Sequence, residues 1–142
     1  MSLFSTMRIS QSGLTASRLW LDTISSNIAN ANTTRTSEGG PYRRLDVSMT
    51  PSSDSSFASF LGAASDSPGT GVQVSGIVKD SSAPRMVYNP NHPDANADGY
   101  VAMPNINIVT EMVNMVAAQR AYEANVTVMN SAKSMAMKSL EI

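Results

Sequence analysis

The stretch SSNIANANTTRT, Ser25 to Thr36, closes the first long apolar repeat of the chain and decides how the rest is read. It places three asparagines, Asn27, Asn30 and Asn32, in the last turns of an otherwise well-patterned helical segment. Asparagine is a mediocre helix former, because its short amide competes for backbone hydrogen bonds. It also tolerates the left-handed backbone that ends helices, and beside an apolar seam one amide fixes register and partner at some cost in stability. Asn27 and Asn30 fall one turn apart and flank Ile28 and Ala31. The expectation is that these two hydrogen-bond a neighbouring helix while Asn32 terminates the segment. Three unrelated capping residues would be the plainer account.

Upstream of it, Leu3, Met7, Leu14, Leu21, Ile24, Ile28 and Ala31 recur at helical spacing. Met7, Leu14, Leu21 and Ile28 stand seven apart, which is the coiled-coil period. Ser10 and Ser17 fall in the same stripe and are small enough to let a neighbouring backbone come close. A second periodic segment runs from about Ile108 to Leu140 through Met112, Met115, Tyr122, Val126, Met129 and Ala136, with Gln119 and Lys133 interrupting. Val109, Val113 and Val116 widen its start, as burial on two sides would require. At 1.5 Å per residue this helix is about 45–50 Å long, more than a chain this small buries alone.

Between the two helices, Thr33 to Asn107 has a different texture. SEGGPYRR is a turn cluster, and YRRLDVSM alternates Leu45, Val47 and Met49 against Asp46 and Ser48 in the pattern of a half-buried strand. GVQVSGIVKD predicts a second strand, and Met86–Tyr88 and Tyr100–Met103 two short ones around a polar turn. The Ser/Gly/Pro-rich stretch from about residue 52 to 71, with its small apolar knot Phe57, Phe60 and Leu61, is expected to be a flexible loop. The chain therefore divides into an N-terminal helix (1–32), a β/loop middle (33–107) and a C-terminal helix (108–142). The fold class is mainly α with a small β-rich middle, its terminal helices pairing as a coiled coil. Outside an assembly the terminal stripes lack partners, so order is expected mainly within about Tyr42 to Met103.

Bulk properties exclude several functions. With 142 residues, a net charge of -1 and only 15% charged residues, the chain suits one domain and lacks the basic face that a nucleic-acid binder needs. No cysteine is present, which rules out disulfides and thiolate metal sites. The start MSLFSTMRISQSGL has no basic opening followed by a long apolar stretch, so no cleavable secretory signal is expected. No run approaches 18 apolar residues, so no transmembrane segment is expected either.

Candidate chemistry is thin. Asp94, Asn96, Asp98 and Gly99 match the first half of a calcium loop, but the position needing a bidentate glutamate holds Asn105, after Pro104. The alternative is a tight turn made from good turn residues. His92, the only histidine, stands beside two prolines, and no nucleophile elbow accompanies it for Ser-His-Asp chemistry. The glycine-bearing loops SEGG and SPGTG lack the Walker lysine and the dinucleotide fingerprint. No cofactor or metal is expected.

SSNIANANT, at the end of an N-terminal helical segment, resembles the signature of bacterial flagellar rod and hook proteins, with Asn27, Ile28, Ala29, Asn30, Asn32 and Thr33 at its core positions. EMVNMVAAQRAYEANVTVMNSAKSM resembles their C-terminal segment through Glu111, Met112, Gln119, Arg120, Tyr122 and Asn125. The short length, GGPYRR and NPNHPDANADGYVAMPNIN narrow the resemblance to basal-body rod proteins of the proximal type. Only the stretch from about Ser52 to Ser67 carries none of it. Common family members continue past the signature with a Gly-Tyr or Gly-Phe step, whereas TTRTSEGGPYRR runs longer, as in the proximal type.

The resemblance implies a non-enzymatic subunit that stacks helically into a torque-transmitting shaft, its terminal helices paired in the inner layer. It implies self-association, contacts with other rod proteins and with basal-body ring and export-gate components, and passage through the flagellar type III apparatus to a position beyond the cytoplasmic membrane. The expected assembly interface comprises Met7, Leu14, Leu21, Ile24, Asn27, Ile28, Asn30, Met112, Met115, Gln119, Tyr122, Asn125, Val126 and Met129. The rival readings are a small calcium-binding or adaptor module at Asp94–Gly99 and a hydrolase using His92.

Overall fold

A computed structural model describes residues 3–52 and 71–140. The expected Ser-rich loop, with Phe57, Phe60 and Leu61, lies almost wholly outside the described residues. Two long helices enclose two small sheets, in the order α1 (Leu3–Ala29), β1 (Leu45–Pro51), β2 (Val72–Lys79), β3 (Arg85–Tyr88), β4 (Tyr100–Met103) and α2 (Ile108–Leu140). The chain is thus mainly α with a small β-rich middle, and its terminal helices pack along each other.

The end of α1 follows from its side chains. The Asn30 amide donates to the Ser26 carbonyl at 2.9 Å, and the Thr33 hydroxyl donates to Asn30 Oδ1 at 3.1 Å, so polar groups replace the next turn of helix. No asparagine enters the left-handed region. Among the described residues only Gly39, Gly40, Gly71 and Gly99 have positive φ. Helix α2 starts after the buried Pro104, with Asn107 as its cap: Asn107 Oδ1 accepts the N–H groups of Val109 at 3.0 Å and Thr110 at 3.3 Å.

Strands β1 and β2 pair antiparallel from Leu45↔Lys79 to Pro51↔Val72, with a bulge between Ser48 and Met49. Ser75 occupies the bulge and donates its hydroxyl to the Ser48 carbonyl at 3.0 Å. Strands β3 and β4 form a second antiparallel pair, Arg85↔Met103 to Tyr88↔Tyr100, closed by an edge-to-face contact between the Tyr88 and Tyr100 rings at 5.3 Å. The first sheet rests on α1, and Ser12 anchors it: its hydroxyl accepts the Val72 N–H at 3.1 Å.

Burial concentrates on the helix pair and its junction with the sheets. Ser10, Ala16, Ser17, Thr23, Ile24, Asn27 and Ala31 are buried on the α1 side, and Glu111, Ala118 and Ala132 on α2. Within Tyr42 to Met103, the segment expected to hold the ordered centre, Val101 is the one buried residue among those described. The reason is that the helices bury each other inside one chain. Ser10 and Ser17, the small residues in the α1 stripe, belong to that buried face.

Candidate assembly interface

At the junction of α1, β1 and α2 a polar clasp forms around Asn27, whose residue exposure is 0%. Its Nδ2 donates to the Leu45 carbonyl at 2.8 Å and to Glu111 Oε2 at 3.1 Å. Its Oδ1 accepts the Leu45 N–H at 2.9 Å and the Tyr42 hydroxyl at 3.2 Å. All four hydrogen-bonding positions of the amide are thereby filled. Glu111, 1% exposed, accepts a second bond on Oε1 from Arg44 Nε at 2.8 Å. Arg44 in turn lies 3.5 Å from Asp46. Burial works against the charged guanidinium, but the hydrogen bond and charge of Glu111, with Asp46, outweigh it and hold the Arg44 pKa above the usual arginine value. Among the described residues no buried side-chain nitrogen or oxygen lacks a partner.

Three separate sequence stretches converge here: Asn27 from SSNIANANT, Tyr42 and Arg44 from GGPYRR, and Glu111 from the start of α2. The clasp fixes the starting point of an antiparallel helix pair. Further along, Gly13 of α1 faces Asn125 of α2, whose amide donates to the Ala121 carbonyl at 2.9 Å. On α2 the seam follows Glu111, Ala118, Asn125 and Ala132, seven residues apart, with Met115, Met129 and Ala136 half-buried beside it. Small side chains let the helices approach closely.

The expected interface residues therefore separate into groups. Met7, Leu14, Leu21 and Ile28 are half-buried along α1, and Ile24 is fully buried. Asn27 does bond a neighbouring helix, that of its own chain, whereas Asn30 bonds the end of its own helix and Asn32 is exposed. On α2, Met115, Asn125, Val126 and Met129 are half-buried, while Met112, Gln119 and Tyr122 are exposed. Gln119 donates to Glu123 at 3.3 Å.

Sequence reasoning missed Arg44, Gly13, Ala118 and Ala132 as seam or clasp residues, and gave Glu111 no structural partner. A lone acid in the apolar run IVTEMVNMV was the available signal, since a carboxylate on a buried face needs a cation or amide. Outside the seam, α2 presents a second apolar stripe. Val109, Met112, Val113 and Val116 are each more than half exposed, and Ile108 lies beside them.

The Asp94–Gly99 segment is a turn held by its own groups. Asn96 Oδ1 accepts the N–H groups of Asp98 at 3.1 Å and Tyr100 at 2.8 Å, and the Thr34 hydroxyl donates to Asp94 at 2.8 Å. His92 Nδ1 accepts the Asp94 N–H at 3.1 Å, which ties the ring to the same turn. Among the described residues no group of three or more histidine, cysteine or acidic side chains is placed to share a metal. None of the helices described is long and apolar enough to cross a membrane.

Two family models match the chain toward its two ends, over the segments that carry Asn27 and Glu111. One, described as a flagella basal body rod protein, covers residues 7–35, and the other, described as the C-terminal part of flagellar basal body rod FlgEFG proteins, covers 97–142. Curated relatives match along the whole length. The flagellar basal-body rod protein FlgC of Bacillus subtilis is 48% identical, covering 100% of this chain and 99% of the relative. That of Borreliella burgdorferi is 46% identical over 100% of this chain and 98% of the relative, and that of Escherichia coli 37% over the same shares. With both terminal segments and the middle so matched, the chain belongs to the FlgC family of flagellar basal-body rod proteins.

Proposed function

We propose that this chain, a structural component of the basal-body rod rather than an enzyme, polymerises helically through its paired terminal helices to form part of the shaft that transmits torque. The observation that carries this reading is the exposed stripe Val109, Met112, Val113 and Val116 on a helix whose opposite face is already paired. A contiguous apolar stripe on a small chain marks a contact surface. Copies of the same chain and other rod proteins are its natural partners. Basal-body ring and export-gate components, and the type III apparatus that would deliver the subunit, are further partners of such a component. The assembly contacts would draw on the exposed or half-exposed positions Met7, Leu14, Leu21, Ile28, Met112, Gln119, Tyr122, Val126 and Met129.

Val113→Asp tests the reading. The side chain points away from the chain's own seam, so the subunit should fold as before, with unchanged helix content. An unpaired carboxylate in each copy's contact should keep the protein out of isolated basal bodies and abolish swimming. Gln73→Asp, on the exposed face of β2, should do neither. Normal swimming with intact rods in Val113→Asp cells would overturn the proposal.

A further inference from the structure

We infer that Arg44 and Glu111 are positioning residues for the assembly stripe of α2: their buried pair holds the first turns of the helix in shape, and so presents Val109, Met112, Val113 and Val116. This rests on the reading of that stripe as a contact surface. At about 100° per residue, Val109, Val113 and Val116 fall on the far side of the helix from Glu111. The three valines are therefore linked to the clasp through the helix itself, and Met112 through its place next to Glu111 in the chain.

The physical reason lies in the burial of the carboxylate. Glu111 is 1% exposed, and its partners are one neutral amide, Asn27 at 3.1 Å, and one cation, Arg44 at 2.8 Å. Removing the guanidinium leaves a buried charge held only by an amide, and carrying Glu111 into water relieves it without protonating the carboxylate. That movement unwinds the turns on which Met112 to Val116 sit. Arg44 is itself delivered by the middle of the chain. It immediately precedes β1, and its carbonyl accepts the Asp80 N–H at 2.8 Å. The stripe is consequently in shape only when β1, β2 and both helices are all in place. An incompletely folded copy would offer neighbours a frayed surface, and assembly would select folded subunits without any separate control.

The test reads helix order and assembly separately, on the full chain. In Arg44→Met, hydrogen-exchange protection of the Met112–Val116 amides should fall at least tenfold relative to Met129–Ala136 on the same helix, and recovery of the protein in isolated basal bodies should drop with it. A uniform loss along α2 would signify a general structural role and overturn the inference. Arg44→Met combined with Glu111→Leu removes both charges, and should restore protection to within threefold of the parent and restore incorporation. If the single variant is too unstable to study, the double variant alone decides: failure to fold, or protection without incorporation, sinks the proposal. Val113→Asp separates the two readings. It should keep the protection of the parent and still be excluded from rods. Incorporation of that variant would remove the stripe's role, whereas unchanged protection in Arg44→Met would remove the positioning role.

Discussion

The side-chain amide of Asn125 lies 2.9 Å from the point where a Cβ on Gly13 would stand, so α1 and α2 approach here at a residue with no side chain. A methyl group at that point would displace Asn125 and break its 2.9 Å bond to the Ala121 carbonyl. Two opposing effects of similar size result. Glycine inside a helix costs about 0.5–1 kcal/mol relative to alanine, and the lost hydrogen bond costs about 1 kcal/mol. Gly13→Ala should therefore bring no gain in the parent, but stabilise an Asn125→Ala background by about 0.5–1 kcal/mol. Urea unfolding of the four proteins in the cycle measures the coupling, expected to be at least about 0.5 kcal/mol.

Asn27→Ala should be among the most damaging single changes. It leaves both the N–H and the carbonyl of Leu45 without their side-chain partner and takes a donor from Glu111. A loss of roughly 2–4 kcal/mol is expected, because each abandoned buried group carries its own desolvation penalty. Asn30→Ala removes only the local bonds to Ser26 and Thr33, and should cost about 1 kcal/mol. Thermal unfolding monitored by circular dichroism orders the two.

Gly99 adopts φ +80, and a Cβ there would stand 2.9 Å from the Tyr88 ring and 3.3 Å from Pro90. Gly99→Ala should cost at least about 1–2 kcal/mol through the left-handed backbone alone, and weaken the β3–β4 pair. Asp98→Ala, at an exposed turn position, should stay within about 0.5 kcal/mol of the parent. Calcium should leave the melting temperature of both unchanged. A calcium-dependent rise abolished by Asp98→Ala would show that the turn holds the ion.

Glu38 receives Lys79 Nζ at 2.8 Å and 2.6 Å on its two oxygens. This hydrogen bond, with the lysine charge, holds the Glu38 carboxyl below the usual glutamate value. Because the folded-state pKa is depressed, the pair's contribution is complete above the usual value and disappears as pH falls through the lower, folded one. Both groups are exposed, so the effect on stability is small. The direct check is an NMR titration: Glu38 should titrate low in the parent and return to the usual range in Lys79→Ala.

Much of the fold was legible in the sequence, and what was not has a physical cause. The alternation of Leu45, Val47 and Met49 and the 3–4 repeats of both termini marked strands and helices to within a few residues, because backbone geometry imposes those periods directly. The rotation of α2 about its axis was hidden. Apolar residues occupy several of its faces, and hydrophobicity alone does not tell the face that meets α1 from the one left outside. Ala118 and Ala132 are buried for their small size, which a stripe of large residues does not reveal. Arg44 and Glu111 are 67 residues apart, so no local pattern joins them. Asn27 was noticed because it is out of place in a helix, but its most telling bond is to Leu45, on a strand.

The Asn27–Glu111 bond spans 84 positions of the chain, and this has a kinetic consequence. Neither long helix has its partner until almost the whole polypeptide has been made, and closing so large a loop precedes most of the burial that stabilises the fold. Chains dominated by such distant contacts fold slowly. A newly made copy should therefore pass an extended interval with α1 exposed and the clasp unformed, during which it is open to proteases, chaperones or a transport machine that handles unfolded chains. Stopped-flow refolding of the full chain, followed through Trp20, should show a main phase in the millisecond-to-second range rather than the microseconds of a locally connected helical bundle.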